Sequence, residues 1–97
     1  MSTLDEKTSE ILAELFRALG DPTRLRLIAC LVEKERSVGD LAEALGMSLS
    51  AVSHQLGILR RMRIVRGRRE GQHVYYTLDD EHVSEIFTDA LRHVEHS

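Results

Sequence analysis

Two helix signatures joined by a single tight turn constrain this chain more than any other feature of its sequence. Ser37-Val38-Gly39-Asp40 places a capping hydroxyl three residues ahead of an acid, Leu41, Ala42 and Leu45 follow, and Gly46 stops the segment. Ser48 is then placed to cap a second helix that carries Val52, Leu56, Ile58, Leu59 and Met62. Two helices so closely joined, the second with a polar outer face, make a helix-turn-helix pattern.

The flanking sequence extends the pattern in both directions. Ile11, Leu12, Leu15, Phe16 and Leu19 recur at helical spacing within residues 4–19, and Gly20 ends the run. Asp21-Pro22-Thr23 supplies a capping carboxylate and a first-turn proline for a helix through Leu25, Leu27, Ile28 and Leu31 to about Glu33. After the helix-turn-helix, Ile64-Val65 and His73–Leu78 read as strands joined by the turn Arg69-Glu70-Gly71-Gln72, which is a wing. Asp79-Asp80 opens a last helix over residues 79–96, with Val83, Ile86, Phe87, Ala90, Leu91 and Val94 on one stripe. The expected fold is mainly α with a small β-hairpin, a winged helix-turn-helix. With 97 residues, enough for one modest core, it is expected to form a single domain over residues 1–97. A terminal helix apolar along its whole length exceeds the needs of so small a core, so a second copy is expected to cover it, giving a homodimer.

Composition removes several classes of function. No Trp, two Tyr and two Phe are too few for a base-stacking platform or an aromatic-lined ligand pocket. Cys30 is the only cysteine, so no internal disulfide or thiol-rich metal knuckle forms, and its place in the run Leu27–Val32 suits a small core side chain. That six-residue run falls far short of the roughly 20 residues of a membrane span, and residues 1–7 are polar without signal-peptide character. A cytoplasmic protein with no membrane partner is expected.

The net charge of −3 is very unevenly distributed. Residues 54–78 hold six basic groups and one acidic, whereas residues 79–97 hold one basic and six acidic. All six cations of the basic block are arginines, Arg60, Arg61, Arg63, Arg66, Arg68 and Arg69, suited to forked contacts with phosphate. On the second helix of the motif, Ser48, Ser50, Ser53, His54 and Gln55 carry groups able to bond base edges in a major groove. Either signal alone also fits a solvated surface. Together they favour double-stranded DNA, with Arg60, Arg66, Arg68, Arg69 and Gln72 at the flanking backbone and wing. Ser53 and His54 are no nucleophile–base pair, because adjacent helical residues point about 100° apart. No catalytic or cofactor-loop residues stand out, so an enzyme and an organic small-molecule substrate are not expected.

The last helix carries His82, His93 and His96, with Asp80 at its start. The three imidazoles fall within roughly 60° on the helical wheel, beside the apolar stripe. His82 and His93 nevertheless lie about 16 Å apart along the axis, too far to share a metal whose ligand bonds are roughly 2.0–2.2 Å. Each end thus supplies half a site. If two such helices pack antiparallel across a two-fold axis, Asp80 and His82 of one subunit meet His93 and His96 of the other, giving two tetrahedral sites of three nitrogens and one oxygen. The alternative is that Asp80 only caps the helix and the histidines are solvated. His73, in the wing, reads as an ordinary polar residue.

The segment Ala18-Leu19-Gly20-Asp21-Pro22-Thr23-Arg24-Leu25-Arg26, the stretch Ser48 to Gln55, the wing Arg68-Arg69-Glu70-Gly71-Gln72 with Tyr75-Tyr76, and the terminal Asp-x-His-x10-His-x2-His together resemble the ArsR/SmtB family of metal-sensing repressors. The spacing of Asp80, His82, His93 and His96 is similar to the terminal-helix site of its CzrA-type zinc and cobalt sensors. Where many members carry a Cys-x-Cys, this chain has Ser37-Val38-Gly39, and its N-terminal segment has no histidine to serve among the extra terminal histidines of the family's six-coordinate nickel sensors. The resemblance implies a dimer through the N- and C-terminal helices that holds operator DNA when metal-free. Zn(II) is the implied allosteric effector, with Co(II) as a chemical alternative, and its binding releases the DNA. Such coupling is reciprocal: DNA must weaken zinc binding by the factor by which zinc weakens DNA binding. The ring N–H of a ligating histidine, bonded to a backbone carbonyl near Arg63, is the expected link. A repressor with a non-metal inducer and a dimeric protein-interaction module are the remaining readings.

Overall fold

The computed structural model describes residues 3–96. Local capping chemistry sets most of its helix boundaries. Asp5 accepts a 2.7 Å hydrogen bond from the Thr8 amide and starts α1 (Glu6–Leu19), two residues later than the periodicity alone predicts. Asp21 accepts from the Arg24 amide at 3.0 Å, and Pro22 occupies the first position of α2 (Pro22–Glu33).

The central motif is closed by paired signals. Ser37 and Asp40 form a reciprocal capping box at the start of α3 (Val38–Leu45). Gly46 ends that helix at φ +64°, a left-handed conformation that glycine adopts without a Cβ penalty, while the Met47 amide returns to Ala42 O at 2.9 Å. Ser48 then caps α4 (Leu49–Arg61) by accepting from the Ala51 amide at 3.1 Å. The far end of α4 closes the same way, with the Arg63 amide on Arg60 O at 3.0 Å and the Ile64 amide on Leu59 O at 2.9 Å. Here the left-handed position is held by Arg63, at φ +58° the one non-glycine of positive φ among the described residues.

Three antiparallel strands follow the order β1-β3-β2 among the described residues: β1 (Arg36–Ser37), β2 (Val65–Glu70) and β3 (His73–Leu78). The expected hairpin is therefore extended by a short third strand. Two strand boundaries also change. Ile64 belongs to the closure of α4 rather than to a strand, and β2 runs through Arg69 and Glu70, which leaves only Gly71 and Gln72 as the turn. The reason is register: Glu70 pairs with His73, and Gly71 at φ +62° lets two residues reverse the chain.

The core lies between α2, α3, α4 and the sheet. Leu27, Ile28, Leu41, Val52, Leu56, Leu59, Ile64 and Val65 are almost wholly buried, and the Tyr76 ring closes the sheet side. The helix α5 (Glu81–Glu95) starts at an Asp80 cap and rests Val83 and Phe87 against this core. Among the described residues α5 has no fully buried side chain and α1 has only Ala18. Cys30 is half-buried and packs on the core, as a small apolar side chain would. No helix among the described residues is long and apolar enough to cross a membrane.

Candidate functional site

Burial of Val52, Leu56 and Leu59 fixes how α4 is rotated, and so decides which of its residues face outward. Ser50, Ser53, His54 and Arg60 are exposed on that outer side. Ser48 is exposed too, but its hydroxyl is occupied by the helix cap and lies 3.4 Å from that of Ser50. Gln55 is half-buried, its Oε1 accepting from Nη1 of Arg24 at 3.3 Å. The same guanidinium donates to Ala18 O at 2.6 Å and Arg17 O at 3.2 Å, capping the last carbonyls of α1. Arg24 therefore ties the end of α1 to the outward helix through Gln55. Nothing in the sequence signals this contact, whose ends lie 31 residues apart.

The wing arginines divide into two kinds. Arg66 and Arg69 are exposed and, among the described residues, form no ion pair, and Gln72 is exposed in the two-residue turn. Arg68 instead donates to both carboxylate oxygens of Glu35, from Nη2 at 2.7 Å and Nε at 2.9 Å, and from Nη1 to Glu70 at 3.3 Å. Its guanidinium carbon stands 4.8 Å over the Tyr75 ring. The hydrogen bonds from Arg68 hold the Glu35 carboxyl below its usual range, and the two carboxylates raise the Arg68 guanidinium. Glu35 was not legible as a partner: in sequence it is one charge among several at the end of a helix.

On α5 the histidines separate by helix end. Asp80 Oδ1 accepts the Val83 amide at 3.1 Å and lies 3.7 Å from Nδ1 of His82, with the two side chains 50% and 84% exposed. His93 and His96 lie on the last turn and its cap, both exposed. Among the described residues no three His, Cys, Asp or Glu side chains gather where they could hold one metal ion. The donor set itself, imidazole nitrogens with a carboxylate, suits zinc or cobalt, and both half-sites are open to solvent. Asp80 and His82 border a cleft of about 210 Å³ shared with Leu19 of α1 and with Met62 and Arg63 at the end of α4. One half-site thus adjoins the closure of the outward helix.

A short helix pair with a polar outward helix, followed by a basic hairpin, defines a winged helix-turn-helix DNA-binding domain. Comparison with known proteins narrows this class. Residues 21–66 match the family model described as bacterial regulatory protein, arsR family. A transcriptional repressor SmtB homolog from Synechocystis sp. is 50% identical over 89% of this chain and 65% of its own length. The HTH-type transcriptional regulator NmtR of Mycobacterium tuberculosis is 42% identical over 96% of this chain and 78% of its own. The solution structure of apo-NmtR matches with a TM-score of 0.84 at 40% identity, covering 100% of this chain and 82% of that one. The homodimeric winged helix-turn-helix domain of Mb0332 from Mycobacterium bovis matches with a TM-score of 0.86 at 28% identity, covering 98% and 91%. The chain belongs to the ArsR family of bacterial regulatory proteins, a family of transcriptional regulators rather than enzymes.

Proposed function

We propose that this chain is a metal-responsive transcriptional repressor that binds operator DNA as a metal-free homodimer and leaves it when Zn(II), or Co(II) in its place, occupies two sites shared between protomers. The observation that carries this reading is the division of one donor set between the two ends of α5: Asp80 beside His82 at its start, and His93 with His96 at its finish. A single chain brings each pair to an exposed surface, and a two-fold partner is the simplest source of the other pair. The metal would be held by Asp80 and His82 of one protomer with His93 and His96 of its partner.

Apolar surface supports the dimer. Ile11 and Phe16 on α1 are each 58% exposed, Ile86 and Leu91 on α5 are 39% and 42% exposed, and Leu25, Ala29, Phe87 and Ala90 line an apolar groove between α2 and α5. Such a surface on so small a protein suits burial against a like surface. In the DNA complex, Ser50, Ser53 and His54 face base edges, and Arg60, Arg66, Arg69 and Gln72 meet the backbone. Ser48 and Gln55 act mainly through the bonds they already make. The elements α1 to α5 work as one unit in the cytoplasm.

Mixed dimers test the shared site directly. Asp80→Asn/His82→Ala chains and His93→Ala/His96→Ala chains should each bind zinc poorly as homodimers. Their mixture should recover one intact site per mixed dimer, read by zinc titration. Failure of the mixture to recover zinc binding, with dimer exchange verified, would refute an intersubunit site.

A further inference from the structure

We infer that Arg68 is a positioning residue that sets the angle of the wing through Glu35, and is not itself a phosphate contact. The inference rests on the reading of the wing as a DNA-contacting element. The wing is a two-stranded ribbon, and β1 pairs with β3 only at Arg36↔Tyr76 and Ser37↔Tyr75, so the outer half from Arg69 to Val74 has no third strand. A two-stranded ribbon is weakly held by its own hydrogen bonds. Arg68 stands directly opposite Tyr75 at the point where the third strand stops. Its guanidinium lies across the Tyr75 ring and reaches Glu35, the residue immediately before β1. One side chain therefore straps β2, across β3, to the segment that enters β1. The forked, two-bond engagement of a carboxylate fixes orientation as well as distance.

Charge argues the same way. Arg68 sits between two carboxylates, Glu35 and Glu70, so the three groups together carry net negative charge. A phosphate approaching Arg68 would have to displace the Glu35 fork or share the cation with it. Arg66 and Arg69 carry no such partner among the described residues. The Arg68 and Glu35 side chains are 50% and 36% exposed, so the pair contributes little to global stability and its variants should fold.

The test is the salt dependence of binding to a duplex of the DNA upstream of the chain's own coding sequence, for wild type, Arg66→Gln, Arg68→Gln, Arg68→Lys and Glu35→Gln. Each phosphate contact contributes about 0.9 to the slope of log affinity against log salt. Arg66→Gln should reduce the slope by about that amount. Arg68→Gln and Glu35→Gln should each weaken binding several-fold with the slope unchanged, and a chain carrying both Arg68→Gln and Glu35→Gln, measured beside them, should be no worse than either. Arg68→Lys, which keeps the charge and loses the fork, should behave like Arg68→Gln. A slope reduced by about 0.9 in Arg68→Gln, near-normal binding by Arg68→Lys, or tighter binding by Glu35→Gln would each overturn the inference while leaving the DNA-binding reading intact. Absence of salt-dependent binding by the wild type would overturn both.

Discussion

Asp80 has one observed duty, as a helix cap, and one proposed duty, as a metal ligand, on the same carboxylate. It caps α5 through the Val83 amide, and it stands beside His82 as half of the proposed metal site. Asparagine preserves a capping oxygen but loses the anionic ligand, whereas alanine loses both. Asp80→Asn should therefore keep its thermal midpoint near the wild-type value while binding zinc much more weakly. Asp80→Ala should lose zinc affinity and also about 1 kcal/mol of stability. Calorimetry alongside zinc titration separates the two duties, and unchanged zinc affinity in both variants would leave Asp80 as a cap alone. The cap was legible in sequence because an aspartate ahead of an apolar helical run serves the amides three residues on. The partners of Gln55 and Arg68 were not, because Arg24 and Glu35 lie 31 and 33 residues away and only the folded chain sets those distances.

At the scale of elements, the turn between α3 and α4 fixes how the outward helix is presented. A Cβ added at Gly46 would meet nothing within 4 Å, so space is ample and the left-handed backbone conformation is the whole constraint. Gly46→Ala should cost about 1 kcal/mol or more and lower the thermal midpoint by roughly 4–8 °C, the scale for a chain of this size. Unchanged stability would mean that the turn relaxes freely. Both helices of the motif, with the caps Ser37 and Ser48, were legible because helix periodicity and capping are local. The strands were read less well. Arg36 and Ser37 are too few to alternate visibly, and the extent of β2 is set by its pairing with β3 rather than by its own residues. Arg63 shows the same limit: a helix ended by an arginine in the left-handed region carries no glycine to announce it.

At the scale of the molecule, the least buried helices, α1 and α5, are the most telling. Their exposed apolar side chains give the single chain a surface that a second copy would cover, and in the proposed reading the two half-sites on α5 would become whole only between copies. Phe16→Glu, at a residue 58% exposed in the single chain, should fold yet sediment as a monomer, and should lose zinc affinity with the dimer. A dimer that survived this change would place the interface elsewhere. The separation of Asp80 and His82 from His93 and His96 by the length of α5 was legible because one helix fixes the spacing of its residues. The cleft joining Asp80 and His82 to Arg63 was not, since it is made by α1, α4 and α5 together.

Metal-driven release from DNA is tested most directly by fluorescence anisotropy of the protein on its own upstream DNA, titrated with zinc, for the wild type and for His93→Ala. Both metal-free proteins should bind tightly, and zinc should release the wild type alone. A wild-type complex that survives saturating zinc, or equal release from His93→Ala, would contradict a repressor switched by metal at the ends of α5.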